Sequence, residues 1–176
     1  MRSKDALSIS IGVLGGLATL LTATLIKVPV WVVFIAWASF FVLGGGVNGA
    51  IRSIASNLTG IAIATITLVA IEVLGGATLV AALAVGLGSA AMVQASKVDL
   101  ISVTPAIVFG FASTVGTVAA TGLAVDEPAF NHPTLQAVLA MVMGAGFGYA
   151  SEILGAALTA GAEPEPSPGP ELGVQP

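Results

Sequence analysis

The feature that most restricts the fold of this chain is the wide spacing of its charged residues. Only 8% of its 176 residues are Asp, Glu, Lys or Arg, whereas 56% are hydrophobic. The stretches between charges approach the ~20 residues that a helix needs to cross ~30 Å of hydrocarbon. A soluble domain carries about a quarter charged residues. The sequence therefore predicts an integral membrane protein rather than a soluble one.

Charges, prolines and glycine clusters divide the chain into six predicted transmembrane helices. They cover residues 6–26, 29–43, 53–71, 78–96, 105–123 and 133–158. The second is short, at ~15 residues, so we expect it to tilt, to thin the bilayer or to run partly re-entrant. Thr104-Pro105 and His132-Pro133 are typical of a helix cap followed by proline in the first turn. We predict an all-α, six-span transmembrane domain over residues 1–162.

The remainder of the chain, residues 163–176, has a different composition. It reads EPEPSPGPELGVQP, in which proline and acidic residues recur without an apolar period. Such a segment cannot bury a hydrophobic face. We predict a disordered acidic tail.

The basic residues predict the orientation of the chain in the membrane. With six spans, one side carries Arg2, Lys4, Arg52 and Lys97, and the other carries only Lys27. Lys and Arg accumulate on the cytoplasmic side of membrane proteins. Both termini are therefore predicted to be cytoplasmic.

Six spans divide into two groups of three, and a repeat with an odd number of spans is inverted across the membrane. Two stretches are similar: Pro29, Val33-Phe34 and Ala38-Ser39 against Pro105, Val108-Phe109 and Ala112-Ser113. Their spacings differ by one or two residues. Two interpretations remain open, an inverted three-helix repeat and chance similarity between two alanine-rich helices.

Small residues recur at helical spacing in the first and sixth spans. Gly12 and Gly15 lie on one such face, and Gly144 and Gly148 on another. Small faces allow helix backbones to approach closely within lipid. We interpret them as packing faces and expect the protein to form a homo-oligomer through them. The alternative is that one of these faces lines a narrow solute path.

A second group of residues forms a candidate solute path: polar residues, a small residue on the same stripe as Asn57, and the start of the fifth predicted helix. The hydroxyls have a structural alternative, because Ser and Thr can bond to a carbonyl three or four residues back. The amide has one as well, since it can bind a neighbouring helix. The candidates are Asn57, Gly60, Thr104, Pro105, Ser113, Thr114 and Thr117.

Three charged residues fall at the predicted cytoplasmic ends of the spans. Arg52 or Lys97 is predicted to pair with Glu152. One interpretation is a cytoplasmic gate, and the other is simple neutralisation of charge at the interface.

Several classes of protein are disfavoured by what the sequence lacks. No ionisable residue lies near the middle of a predicted span, as it would in a proton-coupled pump. There is no Cys, a single His, and no catalytic or phosphate-binding constellation. We therefore expect no enzyme, no metal and no cofactor. With only 5 Lys and Arg residues, nucleic acid is not an expected partner.

One region also resembles a known family. Its residues are Trp31, Phe34, Trp37-Ala38-Ser39-Phe40-Phe41, Gly45-Gly46, Gly49 and Asn57-Leu58-Thr59-Gly60, followed by Pro105, Gly110, Ala112-Ser113-Thr114 and the segment 144–151. Over residues 6–158 the chain is similar to the domain-of-unknown-function family 1097, small bacterial inner-membrane proteins. The resemblance implies a multi-span protein of the bacterial inner membrane. It implies no reaction, ligand or catalytic residue.

Two functional hypotheses follow from these patterns. The first is a channel or permease for a small, uncharged solute. The second is a non-transporting membrane scaffold or accessory subunit, in which the glycine faces serve only for packing. In both hypotheses the lipid bilayer surrounds the protein.

Overall fold

The computed structural model describes residues 3–126 and 131–160, and within these ranges it contains helices and no strand. A π-helical turn, Thr22–Ile26, extends the first helix, and a 3-10 turn, Asp99–Ile101, precedes the fifth. The six α-helices are α1 (Ser3–Leu21), α2 (Val30–Val42), α3 (Gly46–Val73), α4 (Thr78–Ala95), α5 (Thr104–Thr121) and α6 (Pro133–Ala160). The predicted tail, residues 163–176, lies outside the described residues.

Five of the described helices are long and apolar enough to cross a membrane. The exception is α2, whose 13 residues span only about 20 Å at ~1.5 Å per residue. The all-helical, multi-pass membrane architecture is therefore confirmed, including a second helix that is too short to cross on its own.

Two predicted helix starts need correction. Helix α3 begins at Gly46 rather than at residue 53, and it includes Arg52. The Arg52 guanidinium donates hydrogen bonds to Ser102 Oγ at 3.0 Å and to the Leu100 carbonyl at 3.5 Å. A helix can continue past such a charge because the long side chain reaches polar groups beyond it. Thr104 is the first residue of α5 and not its cap, since Val103 is the cap and no side chain bonds there.

The start of α6 follows its prediction more closely. Pro133 is the first helical residue, and His132 Nδ1 accepts a hydrogen bond from the Thr134 N–H at 3.2 Å. The imidazole thus satisfies one of the free N–H groups in the first turn. His132 is half-buried.

Helix α3 packs most extensively on α5, and α6 packs most extensively on α2. Both contacts depend on glycine. A Cβ at Gly60 would overlap the Ile107 carbonyl, and one at Gly144 would overlap the Val33 carbonyl. Without side chains at these positions the helix backbones touch directly, as in many membrane helix pairs.

The two halves of the chain bury their residues in the same register. Gly60 and Gly144 lie 84 positions apart, and each buried residue of α3 has a buried counterpart in α6 at that shift. Each buried residue of α2 likewise has a buried counterpart in α5, 74 positions later. The starts of α3 and α5 and the last turns of α6 meet at one end of the bundle, which we call the Gly45 end. Helices α2 and α5 therefore run in opposite directions, and so do α3 and α6, as corresponding helices do in an inverted repeat.

Candidate functional site

Three fully buried polar side chains form a closed ring of hydrogen bonds between α2 and α3. Ser39 Oγ donates to Asn57 Oδ1 at 3.1 Å, and Asn57 Nδ2 donates to Ser53 Oγ at 3.3 Å. Ser53 Oγ donates back to Ser39 Oγ at 3.0 Å. All three side chains have 0% exposure. We call this cluster the Asn57 ring.

The ring owes its position to helical spacing and to the short loop between the two helices. Ser53 and Asn57 lie four residues apart, so they share one face of α3. Asn57 lies about 16 Å along α3 from its start at ~1.5 Å per residue, in the middle part of the helix. Helix α3 begins seven residues earlier than expected, so about two turns of helix precede Ser53.

The chemistry of the Asn57 ring is that of neutral hydrogen-bonding groups. An Asn side chain has two N–H donors and an oxygen that can accept two hydrogen bonds, and the ring uses one donor and one acceptor position of Asn57. Among residues 3–126 and 131–160, no group of three His, Cys, Asp or Glu side chains could hold a metal ion. The ring can therefore bind neutral polar groups and offers no charge to an ion.

Two further buried hydroxyls have no hydrogen-bond partner in the part of the chain that the structure describes. They are Ser56 Oγ on α3 and Ser113 Oγ on α5. A buried hydroxyl left unpaired costs about 1–3 kcal/mol. Ser113 is one of the candidate path residues, and its hydroxyl is buried without a partner among the described residues.

The two threonine candidates on α5 bond to their own helix, which is the structural alternative to a role in a solute path. Thr114 Oγ1 donates to the Gly110 carbonyl at 3.0 Å, and Thr117 Oγ1 donates to the Ser113 carbonyl at 2.7 Å. Each thus satisfies itself on the carbonyl four residues back. Both are fully buried.

The remaining path candidates lie in two places. Gly60 is at the backbone contact between α3 and α5, where a Cβ on Gly110 would also overlap the Asn57 carbonyl. Thr104 and Pro105 lie at the Gly45 end, half-buried and exposed respectively. The structure therefore brings Asn57 and Gly60 together against α5 but does not continue them into an open path.

The three charged candidates do not form the predicted pair among the described residues. Glu152 Oε2 instead accepts a hydrogen bond from the Gly46 N–H at 2.7 Å, and Arg52 bonds to Ser102 and Leu100. Lys97 is exposed. A carboxylate beside the first N–H groups of a helix is favourable because those groups carry partial positive charge.

The loop that Glu152 contacts requires glycine. Gly44, Gly45 and Gly46 all have positive φ, at +91°, +71° and +62°. A Cβ at Gly45 would also lie 3.0 Å from Glu152 Oε1. This loop lets α2 turn directly into α3, and Glu152 fastens it to α6.

The four predicted packing glycines have different surroundings. Gly144 and Gly148 face Val33 and the Phe40 ring, and Gly15 lies 3.5 Å from the Phe34 ring, measured from an added Cβ. Gly12 is exposed, with open space around it, and so does not pack within the described chain. The packed face of α1 comprises Ala6, Ser10, Gly15 and Ala18, and Thr22 continues it in the π-helical turn.

A second polar cluster joins α1, α2 and α6, and sequence reasoning missed it. Trp37 Nε1 donates to Ser151 Oγ at 3.0 Å, and Ser10 Oγ donates to the Ser151 carbonyl at 2.7 Å. The Trp37 ring also stacks on Phe34 and Phe147. The Ser10 bond fixes the rotation of α1, which explains why Gly12 turns away from the bundle.

Two cavities in the described part of the chain are lined by residues outside the Asn57 ring. One is an apolar groove of about 440 Å³ between α3 and α4, with Ile66, Leu83 and Leu87 in its walls. The other, about 280 Å³, lies near the Gly45 end beside Phe41 and Glu152. The bundle is closed around the ring in this conformation.

Comparison with known proteins identifies the family. The family model described as "Protein of unknown function (DUF1097)" matches residues 8–156. No curated protein and no solved structure matches the chain. The matched residues include all of α2 to α5 and most of α1 and α6. The chain therefore belongs to the DUF1097 family.

Proposed function

We propose that this protein is a channel or permease that carries a small, uncharged solute across its membrane. The observation that carries the proposal is the Asn57 ring, a fully buried polar cluster in the middle part of a membrane-spanning helix. Polar groups at this depth are costly and commonly mark a solute pathway. The ring contains no ionisable group, which favours a neutral solute over an ion.

The inverted register of the two halves supports the same proposal. Many secondary transporters consist of inverted repeats whose substrate site lies near the middle of the bilayer, between the repeats. Here Ser39 of the first half and Ser113 of the second half are buried at equivalent positions. A site between the halves would use hydroxyl and amide groups.

Passage through this conformation would require movement, because the backbones of α3 and α5 touch at Gly60 and Gly110. We propose that the hydrogen bond between Glu152 and Gly46 closes the Gly45 end. Breaking one exposed contact would release the glycine loop. This assigns Glu152, rather than an ion pair with Arg52 or Lys97, to the gate.

We propose the orientation of the protein and the membrane that contains it from the sequence. The distribution of Lys and Arg favours cytoplasmic N- and C-termini, and the family resemblance favours the bacterial inner membrane. Gly12 and Gly16 leave open space on the exposed face of α1, which suits close contact with a second copy in a homo-oligomer. We propose no enzymatic activity and no nucleic-acid partner.

A second candidate function is a non-transporting membrane scaffold or accessory subunit. The observation that favours it is that Asn57, Thr114 and Thr117 find hydrogen-bond partners inside the bundle. The Asn57 ring is closed, and Thr114 and Thr117 are satisfied within α5. In a scaffold these groups would only hold the helices together.

Flux measurements on proteoliposomes separate the two functions. Stopped-flow light scattering would follow vesicles after steps of glycerol, urea or an impermeant osmolyte, beside protein-free vesicles. We expect faster swelling for a neutral solute, lost in Asn57→Ala and Ser39→Ala and retained in Asn48→Ala, whose amide is exposed. Circular dichroism would establish that each variant is folded. Wild-type traces identical to those of empty vesicles would contradict transport of these solutes and favour the scaffold.

A further inference from the structure

Ser113 on α5 is the counterpart of Ser39 on α2. The pair Ala38-Ser39 returns as Ala112-Ser113, 74 positions later. The same shift relates the other buried residues of the two helices, including Val33 and Ile107, whose carbonyls face Gly144 and Gly60. Both serines have 0% exposure. The two hydroxyls are therefore equivalent by position and by burial.

Their surroundings differ because the partner helices carry different residues. Ser39 bonds to Asn57 and Ser53 of α3. The counterparts of these two residues in α6, 84 positions later, are Met141 and Ala137, which are fully buried. Ala has no hydrogen-bonding group in its side chain, and a Met sulfur is only a weak acceptor. The second half thus lacks the ring that satisfies the serine in the first half.

Ser113 is also an exception on its own helix. Thr114, Thr117 and Thr121 each donate to the carbonyl four residues back. Ser113 Oγ has no hydrogen-bond partner in the described ranges. Burying a hydroxyl in this state is unfavourable unless something else supplies the partner.

We infer that Ser113 binds a small, uncharged molecule that both donates and accepts hydrogen bonds. The hydroxyl can act as donor and acceptor, and Met141 and Ala137 at the positions equivalent to its missing partners carry no charge. The side chain of Met is flexible and adapts to irregular spaces. The inference rests on the proposed function and deepens it, because it gives the solute a contact in the second half of the repeat.

Equilibrium binding to the full chain in detergent micelles tests the inference separately from flux. Saturation-transfer NMR would use glycerol and urea as probes. We expect the signal of at least one probe to fall about fivefold in Ser113→Ala, as for the loss of one hydrogen bond. The control Ser89→Ala removes an exposed hydroxyl on α4 that bonds to the Val85 carbonyl, and it should retain the signal.

A second variant tests the site without removing its hydroxyl. Met141→Asn combined with Ala137→Ser copies the partners of Ser39 into the second half. The introduced Asn and Ser side chains should form hydrogen bonds with the Ser113 hydroxyl. Probe binding should then fall as much as it does in Ser113→Ala. This variant decides the question if Ser113→Ala fails to fold.

Two results would overturn the inference: no signal from either probe with the wild-type protein, or equal signals from the wild type and both variants. Comparing the binding results with the flux measurements distinguishes failure of the Ser113 site from failure of the proposed transport function. Binding that depends on Ser113, without flux, supports the site and contradicts transport. Flux without such binding supports transport and contradicts the site.

Discussion

Gly60 and Gly144 make the same contact in the two halves of the molecule, each against a main-chain carbonyl of the partner helix. Gly60 faces Ile107, and Gly144 faces Val33, the residue equivalent to Ile107. The two most extensively packed helix pairs, α3 with α5 and α2 with α6, thus have the same kind of contact, in which a glycine lies against the backbone of the partner helix.

We expect Gly60→Ala and Gly144→Ala each to lower the free energy of unfolding by about 1–3 kcal/mol, as overpacking does in a tight core. The added methyl group would have to push two backbones apart. Thermal or denaturant unfolding in detergent measures the change. Gly86→Ala is the matched control, because Gly86 is an exposed helical glycine with open space around it. Equal stability of Gly60→Ala and Gly86→Ala would contradict the contact.

The Asn57 ring should contribute to stability as well as to function. Asn57→Ala leaves Ser39 and Ser53 without the amide, and we expect it to lower the free energy of unfolding by about 1–3 kcal/mol. Asn48→Ala removes an exposed amide on the same helix and should change stability by no more than about 0.5 kcal/mol. The same unfolding assay compares the two. If the ring did not stabilise the fold, Asn57→Ala and Asn48→Ala would have equal free energies of unfolding.

Trp37 and Ser151 should be energetically coupled. Ser151→Ala leaves the buried indole N–H without an acceptor, whereas in a Trp37→Phe background there is no N–H to satisfy. Ser151→Ala should therefore cost about 1–3 kcal/mol in the wild type and clearly less in Trp37→Phe. A double-mutant cycle of unfolding free energies measures this difference. Additive effects would show that the 3.0 Å hydrogen bond contributes nothing.

Glu152 should control access to the Gly45 end. Because the chain contains no Cys, Leu43→Cys provides a unique label at a residue that is only 8% exposed. We expect a water-soluble maleimide to react faster when Glu152→Ala is added, since the loop is then released from α6. Asp99→Asn, which removes an exposed charge elsewhere, should leave the rate unchanged. If Glu152→Ala left the labelling rate unchanged, the proposal that Glu152 closes the Gly45 end would be contradicted.

Most helix positions could be predicted from the sequence because charges and prolines interrupt apolar stretches. α4, α5 and α6 begin within one residue of their predicted starts. The start of α3 could not be predicted, because the partners of Arg52 come from the segment before α5. From the sequence alone, a charged residue within a helix cannot be distinguished from one at a helix end, because the difference depends on its hydrogen-bond partners.

The candidate site was predicted only in part. The sequence indicates Asn57 and Ser113 as polar residues on helix faces within the membrane, but it does not assign Ser39 and Ser53 to the site. Ser53 and Asn57 share a face at a spacing of four residues, which could have indicated the first part of the ring. Nothing local in the sequence indicates that Ser39 of another helix completes it.

The pattern of apolar stretches is enough to show that this protein lies in a membrane and is built of helices without ionisable groups at their centres. That result follows from desolvation, because charges and unpaired backbone groups are too costly in hydrocarbon. The packing of the helices against each other decides which hydroxyls are satisfied, which glycines touch a backbone, and where Glu152 finds its partner. These outcomes depend on the rotation and crossing of whole helices, which side-chain contacts between distant segments fix together.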